Sequence, residues 1–121
     1  MYGDSTTQQP GNFGVQGVPS PTNKPPAFYE ACEWTDLQGN FWMYGGVFDT
    51  PPYGDMWKFD PSTNMWTWVK GPGTPYPAPV RGIKGVPAPA NTPGSRTYGA
   101  STWRDLQGNL WLFGGNSGPG E

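Results

Sequence analysis

The stretch Trp34–Gly46, WTDLQGNFWMYGG, returns 69 positions later as WRDLQGNLWLFGG, Trp103–Gly115, with nine of the thirteen residues identical. A unit is repeated when one copy cannot bury its own apolar face, so the chain is expected to stack copies against one another. The 19 glycines and 16 prolines among 121 residues reach the level of a disordered chain. Seven Trp, six Tyr and six Phe argue the other way, because they fall within short alternating runs that a solvated tail does not carry. The two facts together imply short strands joined by long, stiff loops.

The strand signals have a fixed order. FYEACEWTD, over 28–36, reads as a first strand, and DLQGN follows as a hairpin turn in which Gly39 takes the left-handed conformation. NFWMYGG returns over 40–45 and ends at Gly45-Gly46, where glycine permits a sharp turn and close approach of a neighbour. GDMWKFD over 54–60 is a third strand. DPSTN is a proline turn whose Asp60 accepts local backbone N–H bonds, and MWTWVK over 65–70 is the fourth strand. Four strands joined by turns make an antiparallel meander. The second copy supplies only two strands, over 96–104 and 109–113.

The loop before each unit is repeated as well. GVQGVPSPTN, 14–23, matches GIKGVPAPAN, 82–91, at an offset of 68, so copy one is one residue shorter between Asn23 and Trp34. Gly3 aligns with Gly71 in the same frame. The chain divides into a Pro/Gly-rich loop (1–27), a complete four-stranded unit (28–70), a second loop (71–95), half of a second unit (96–115) and a tail (116–121). It is expected to be a section of a longer periodic object, or a part that needs a partner.

Composition removes several functions. With net charge −2 and no block of either sign, there is no nucleic-acid footprint or basic membrane face. No apolar run spans a bilayer, and no charged-then-apolar start suggests a signal peptide. Cys32 is the one cysteine, so no internal disulfide forms, and its place in a strand suggests a buried thiol. There is no histidine, which removes His-based acid–base catalysis, Ser-His-Asp triads and the commonest metal ligand.

A four-stranded meander with Gly45-Gly46 (and Gly114-Gly115) closing its second strand, the run DMWKFDPSTNMW, and Arg96 opening the second copy resembles the kelch repeat. The wording of DLQGNLWLFGG and GVPAPANTPGSR is most similar to long-repeat bacterial kelch proteins. The resemblance implies an all-β, incomplete propeller: one kelch-type blade plus a two-strand half blade. It further implies an extracellular or cell-surface location. Copy one departs from the pattern, with Ala27 in the place of Arg96 and Glu30 in the place of Gly99. Glu30 is expected to face a solvated channel, and Glu33, on the other face of the strand, does not pair with it.

Galactose-oxidase-like copper enzymes also use kelch blades, but their copper site needs histidines and a tyrosine cross-linked to cysteine, which this chain does not supply alone. The expectation is therefore a non-catalytic chain without metal or cofactor. On the blade, the loops after the second and fourth strands share one face. They present Phe48, Asp49, Tyr53, Tyr76, Arg81 and Lys84 to a protein partner or, alternatively, to a carbohydrate. The competing reading is that these rings only pack the loops onto the strands. Trp42, Trp57, Trp66, Trp68 and Trp111 are expected to be inter-blade core. The half blade leaves an open strand edge, so other chains, further copies of this one or the rest of a longer polypeptide are expected to complete it by strand addition.

Overall fold

The structure, a computed structural model, describes residues 9–49 and 51–117; Gly3 and the outer parts of both terminal segments lie outside them. The described residues form six strands and no helix: β1 (Cys32–Thr35), β2 (Phe41–Tyr44), β3 (Met56–Asp60), β4 (Met65–Lys70), β5 (Ala100–Arg104) and β6 (Leu110–Gly114). Strands β1 to β4 make one antiparallel sheet in sequence order, and β5 and β6 make a separate hairpin. The architecture is all-β, as the alternating runs imply.

Both outer strands begin later than their residue pattern suggests, and for one reason. Glu30 has φ +57°, and Gly99, 69 positions on, has φ +82°. A left-handed residue turns the chain out of a ladder, so β1 starts at Cys32 and not at Phe28, and β5 starts at Ala100 and not at Arg96. The repeat uses glycine at this bend once and glutamate once. Residues 29 and 47 still bridge beyond the bend.

Cross-strand partners share a face, so the register sorts the side chains. Trp34 faces Trp42 and Cys32 faces Tyr44 on one side, while Glu33 faces Met43 and Thr35 faces Phe41 on the other. The second side continues through Met43–Trp57 and Trp57–Trp68 pairs and through Phe59–Trp66. Two cores result. Trp57, Phe59 and Trp66 pack with Phe13 from the first loop and Phe28 just before β1; Cys32, Trp34 and Tyr44 pack with Leu110 and Leu112 of the β5–β6 hairpin. Trp42 and Trp68 are partly buried, as core positions should be, but Trp111 is 49% exposed.

The identical residues of the repeat are explained by one turn built twice. Asp36 Oδ1 accepts from the N–H groups of Gln38 and Asn40, both at 2.9 Å. Its Oδ2 accepts from the Asn40 amide at 3.0 Å and the Trp42 indole N–H at 2.8 Å. Asp105 does the same for Gln107, Asn109 and Trp111, with distances between 2.9 and 3.0 Å. Gly39 and Gly108 complete the turns at φ +86° and +89°. The other hairpin turn follows expectation: Asp60 accepts from the Ser62 N–H at 2.8 Å.

The loops are ordered copies, too. Residues 12 and 24 form an isolated antiparallel bridge, and residues 80 and 92 repeat it. Inside each, an asparagine amide closes the loop: Asn23 donates to Val18 O and Asn91 to Val86 O. Gly14 and Gly82 make room for it, since a Cβ at either would lie 2.1 or 2.3 Å from the asparagine Oδ1.

Candidate functional site

The β5–β6 hairpin sits on the first sheet through a narrow polar seam and an apolar patch. Trp34 donates its indole N–H to Trp111 O at 2.8 Å, and the Thr102 hydroxyl donates to Glu33 O at 3.1 Å. Arg104 reaches Thr35 O at 3.1 Å and Asp36 O at 3.2 Å. At the far end, Gly46 N–H donates to Arg96 O at 2.8 Å. That carbonyl sits where a Cβ of Gly45 would be, 2.1 Å away, so the Gly-Gly pair is needed for the copies to approach. Beneath the seam, Ala100, Leu110 and Leu112 lie on the Cys32–Trp34–Tyr44 core.

One face of the hairpin is thereby covered; the other is not. Ser101 pairs with Phe113 and Trp103 with Trp111 on the uncovered face. Trp103 is 47% exposed, Trp111 49% and Phe113 74%, and the two indoles stack parallel at 5.8 Å. Their counterparts in the first copy, Trp34 and Tyr44, are buried. Among the described residues, strand β6 pairs only with β5, whereas its counterpart β2 is bonded on both sides. The edge of β6 and the outer face of the hairpin are thus open among the described residues.

The loop face brings together some of the residues expected there. Tyr76 N–H donates to Pro52 O, which joins the 71–95 loop to the 46–54 loop beside Phe48, Asp49 and Tyr53. Tyr53 spends its ring on Phe28, centroids 5.2 Å apart, and burial pushes its hydroxyl pKa up, with Asp55 adding to the effect. Phe48 is half-buried. Asp49 and Tyr76 are exposed, both in the left-handed region at φ +61° and +55°. Arg81 and Lys84 lie within the exposed run 81–90. Of the three aromatics among these six residues, Tyr76 alone is exposed.

Three aspartates take roles that the strand pattern does not announce. Asp55 is completely buried: Oδ1 accepts from Gly73 N–H at 2.7 Å and from the Trp68 indole at 3.3 Å, while Oδ2 has no partner among the described residues. Burial raises its pKa against the pull of the Gly73 and Trp68 donors. Asp36 and Asp105 move the other way. For Asp36, burial raises the pKa, but the Trp42 and Asn40 side chains outweigh it and hold it at about 2; for Asp105, the Trp111 and Asn109 donors hold it at about 2. The signal for this pair was the repeated spacing D-x-x-x-N-x-W, in which an acceptor precedes two side-chain donors.

The expected solvent position of Glu30 is seen: it is exposed, at the rim of an open depression of about 400 Å³ that Cys32, Thr97 and Thr102 also line. Glu33 reaches the rim of the same depression. Cys32 is buried, and that burial, with Glu33, raises its thiol pKa while Arg96 lowers it. Among the described residues, no three His, Cys, Asp or Glu side chains are grouped so as to hold a metal ion, and no helix is long and apolar enough to cross a membrane. No family model, no curated protein and no solved structure matches this chain.

Proposed function

We propose that this chain is a non-catalytic assembly module, a kelch-type propeller segment whose half-finished second blade is completed by strands from another protein chain or from the rest of a longer polypeptide. The observation that carries this reading is the contrast between two equivalent strands: β2 is bonded to β1 and β3, while among the described residues β6 is bonded to β5 alone. An edge of five residues flanked by half-exposed indoles offers main-chain bonds for affinity and pockets for alternate side chains. The loop face supports the reading less, because Tyr53 is already packed against Phe28. Chemistry adds no competing reading: the chain has no histidine, and its one thiol is buried with a raised pKa.

The edge is tested with a peptide spanning residues 54–70, the β3–β4 hairpin that occupies the corresponding edge of the first unit. Added to isotope-labelled chain, it is expected to slow amide exchange in 110–114. Unchanged exchange under a large excess of peptide would refute strand addition at β6.

A further inference from the structure

The seam inside the chain is a worked example of how one copy of the repeat docks on the next, and both halves of that seam recur, unused, on the outside. Within the chain, Trp34, Tyr44 and Met56 meet Pro93, Leu110 and Leu112 across a gap of only about 200 Å³. Sixty-eight or 69 positions earlier, the receiving residues have counterparts in Pro25, Phe41 and Met43. These line an open apolar cavity of about 680 Å³ on the outer face of the first sheet, together with Phe28 and Trp66. Of the inserting residues, Trp34 and Tyr44 have counterparts in Trp103 and Phe113, which stand exposed on the hairpin, while Met56 has none in this sequence. The chain thus carries a plug at one side and the matching socket at the other.

We infer that the occupant of the socket is a second copy of this chain, docked head to tail, with Trp103 and Phe113 of one copy seated on Phe41 and Met43 of the next. This inference rests on the assembly reading above. It names the partner and uses the open faces, whereas strand addition uses the β6 edge. The backbone agrees with it. Gly46 N–H bonds Arg96 O within the chain, so Gly115 N–H would bond Ala27 O of the second copy. A Cβ at Gly114 has no neighbour closer than 3.7 Å, which leaves open the space that the Arg96 carbonyl takes beside Gly45. Two contacts do not transfer. Arg104 reaches Thr35 O and Asp36 O within the chain, but its counterpart is Thr35, whose short hydroxyl cannot span to both carbonyls. The Thr102 hydroxyl donates within the chain, but its counterpart is Glu33, which as a carboxylate has no proton to donate. The surfaces in contact differ from each other, so the association is heterologous and grows into rings or open chains of copies rather than stopping at a symmetric dimer.

Native mass measurement and sedimentation across concentration are expected to show a ladder of oligomers. Phe113→Ser, on a side chain that is mostly in water, should weaken association at least roughly ten-fold by removing a buried ring. Phe41→Glu should do the same from the socket side. Mixing the two variants is the decisive arm: each retains one sound face, so a one-to-one heterodimer is expected where neither associates alone. Glu33→Gln restores a donor and removes a charge, and it should tighten association about five-fold. A monomeric native chain, or oligomers unaffected by Phe113→Ser and Glu33→Gln, would overturn the head-to-tail proposal. Protection of 110–114 by the 54–70 peptide would still stand or fall separately, so the two readings fail independently.

Discussion

The Thr102 hydroxyl bonds the carbonyl of Glu33, the residue 69 positions earlier that holds the same place in the first copy of the repeat. Arg104 bonds the carbonyl of Thr35 at the same separation. The two copies therefore lie side by side in register, equivalent strand against equivalent strand. The two carbonyls that the second copy bonds, those of Glu33 and Thr35, have sequence equivalents in Thr102 and Arg104.

The left-handed bend before β1 gives the simplest test. Glu30 holds φ +57° where the second copy has Gly99 at +82°. A side chain in that region costs about 1 kcal/mol. Glu30→Gly should stabilise the chain by about that amount and Gly99→Ala should destabilise it similarly, since a Cβ at Gly99 meets nothing within 4 Å. Urea unfolding at one fixed chain concentration reads both, and a destabilising Glu30→Gly would count against the bend as a source of strain.

The paired turns predict an acid-sensitive transition. Asp36 and Asp105 have folded pKa values of about 2, below the value of about 3.9 for an unfolded aspartate. The stability they contribute is present above pH ~4 and is lost as the pH falls through ~2. The indole N–H resonances of Trp42 and Trp111, each bonded to one of these carboxylates, should report it. Both are expected to shift in that window, and Asp36→Asn should remove the Trp42 transition while leaving that of Trp111.

Asp55 predicts the opposite slope. Its pKa is raised by burial, so the stability tied to its neutral form is present below the unfolded aspartate value and is lost as pH rises through the folded value. Asp55→Asn keeps an acceptor for Gly73 and Trp68 but carries no charge, so stability should fall less with rising pH in the variant than in the native chain. Asp55→Ala instead leaves both donors without a partner and should cost about 1–3 kcal/mol at every pH. Unfolding free energies from pH 3 to 8 separate the two variants.

Alternation of large apolar side chains made the strands legible, because a half-buried sheet has period two and turns such as DLQGN and DPSTN mark its ends. The late start of β1 at Cys32 is not legible in the first copy, where a glutamate occupies a conformation that normally advertises itself with glycine. The repeat itself held the clue, since Gly99 stands at the same position. The Asp36–Asn40–Trp42 network is hidden for a different reason. Its bonds are made by side chains closing back on a turn, and hydrophobic periodicity carries no trace of them. On the loop face, residue type alone did not distinguish Tyr53, packed on Phe28, from Tyr76, which is exposed. That difference depends on which loop the chain lays beside which strand.

The Gly-Gly pairs allow the seam between copies to be weighed apart from backbone strain. Gly45 and Gly114 are equivalent and share nearly the same left-handed backbone, φ +71° and +76°. Replacing either with alanine costs the same conformational penalty, about 1 kcal/mol. Their surroundings differ: a Cβ at Gly45 would lie 2.1 Å from the Arg96 carbonyl, while one at Gly114 has its nearest atom at 3.7 Å. Gly45→Ala must therefore push the second copy off the first or distort β2, at a cost of roughly 1–3 kcal/mol beyond the shared penalty. Subtracting the two unfolding free energies, measured at a concentration low enough to keep the chain monomeric, cancels the backbone term and leaves the steric one. Equal losses would mean that the seam contributes nothing to folding. A larger loss for Gly45→Ala, with the Trp34 indole N–H signal moving as its bond to the Trp111 carbonyl breaks, is the expected result.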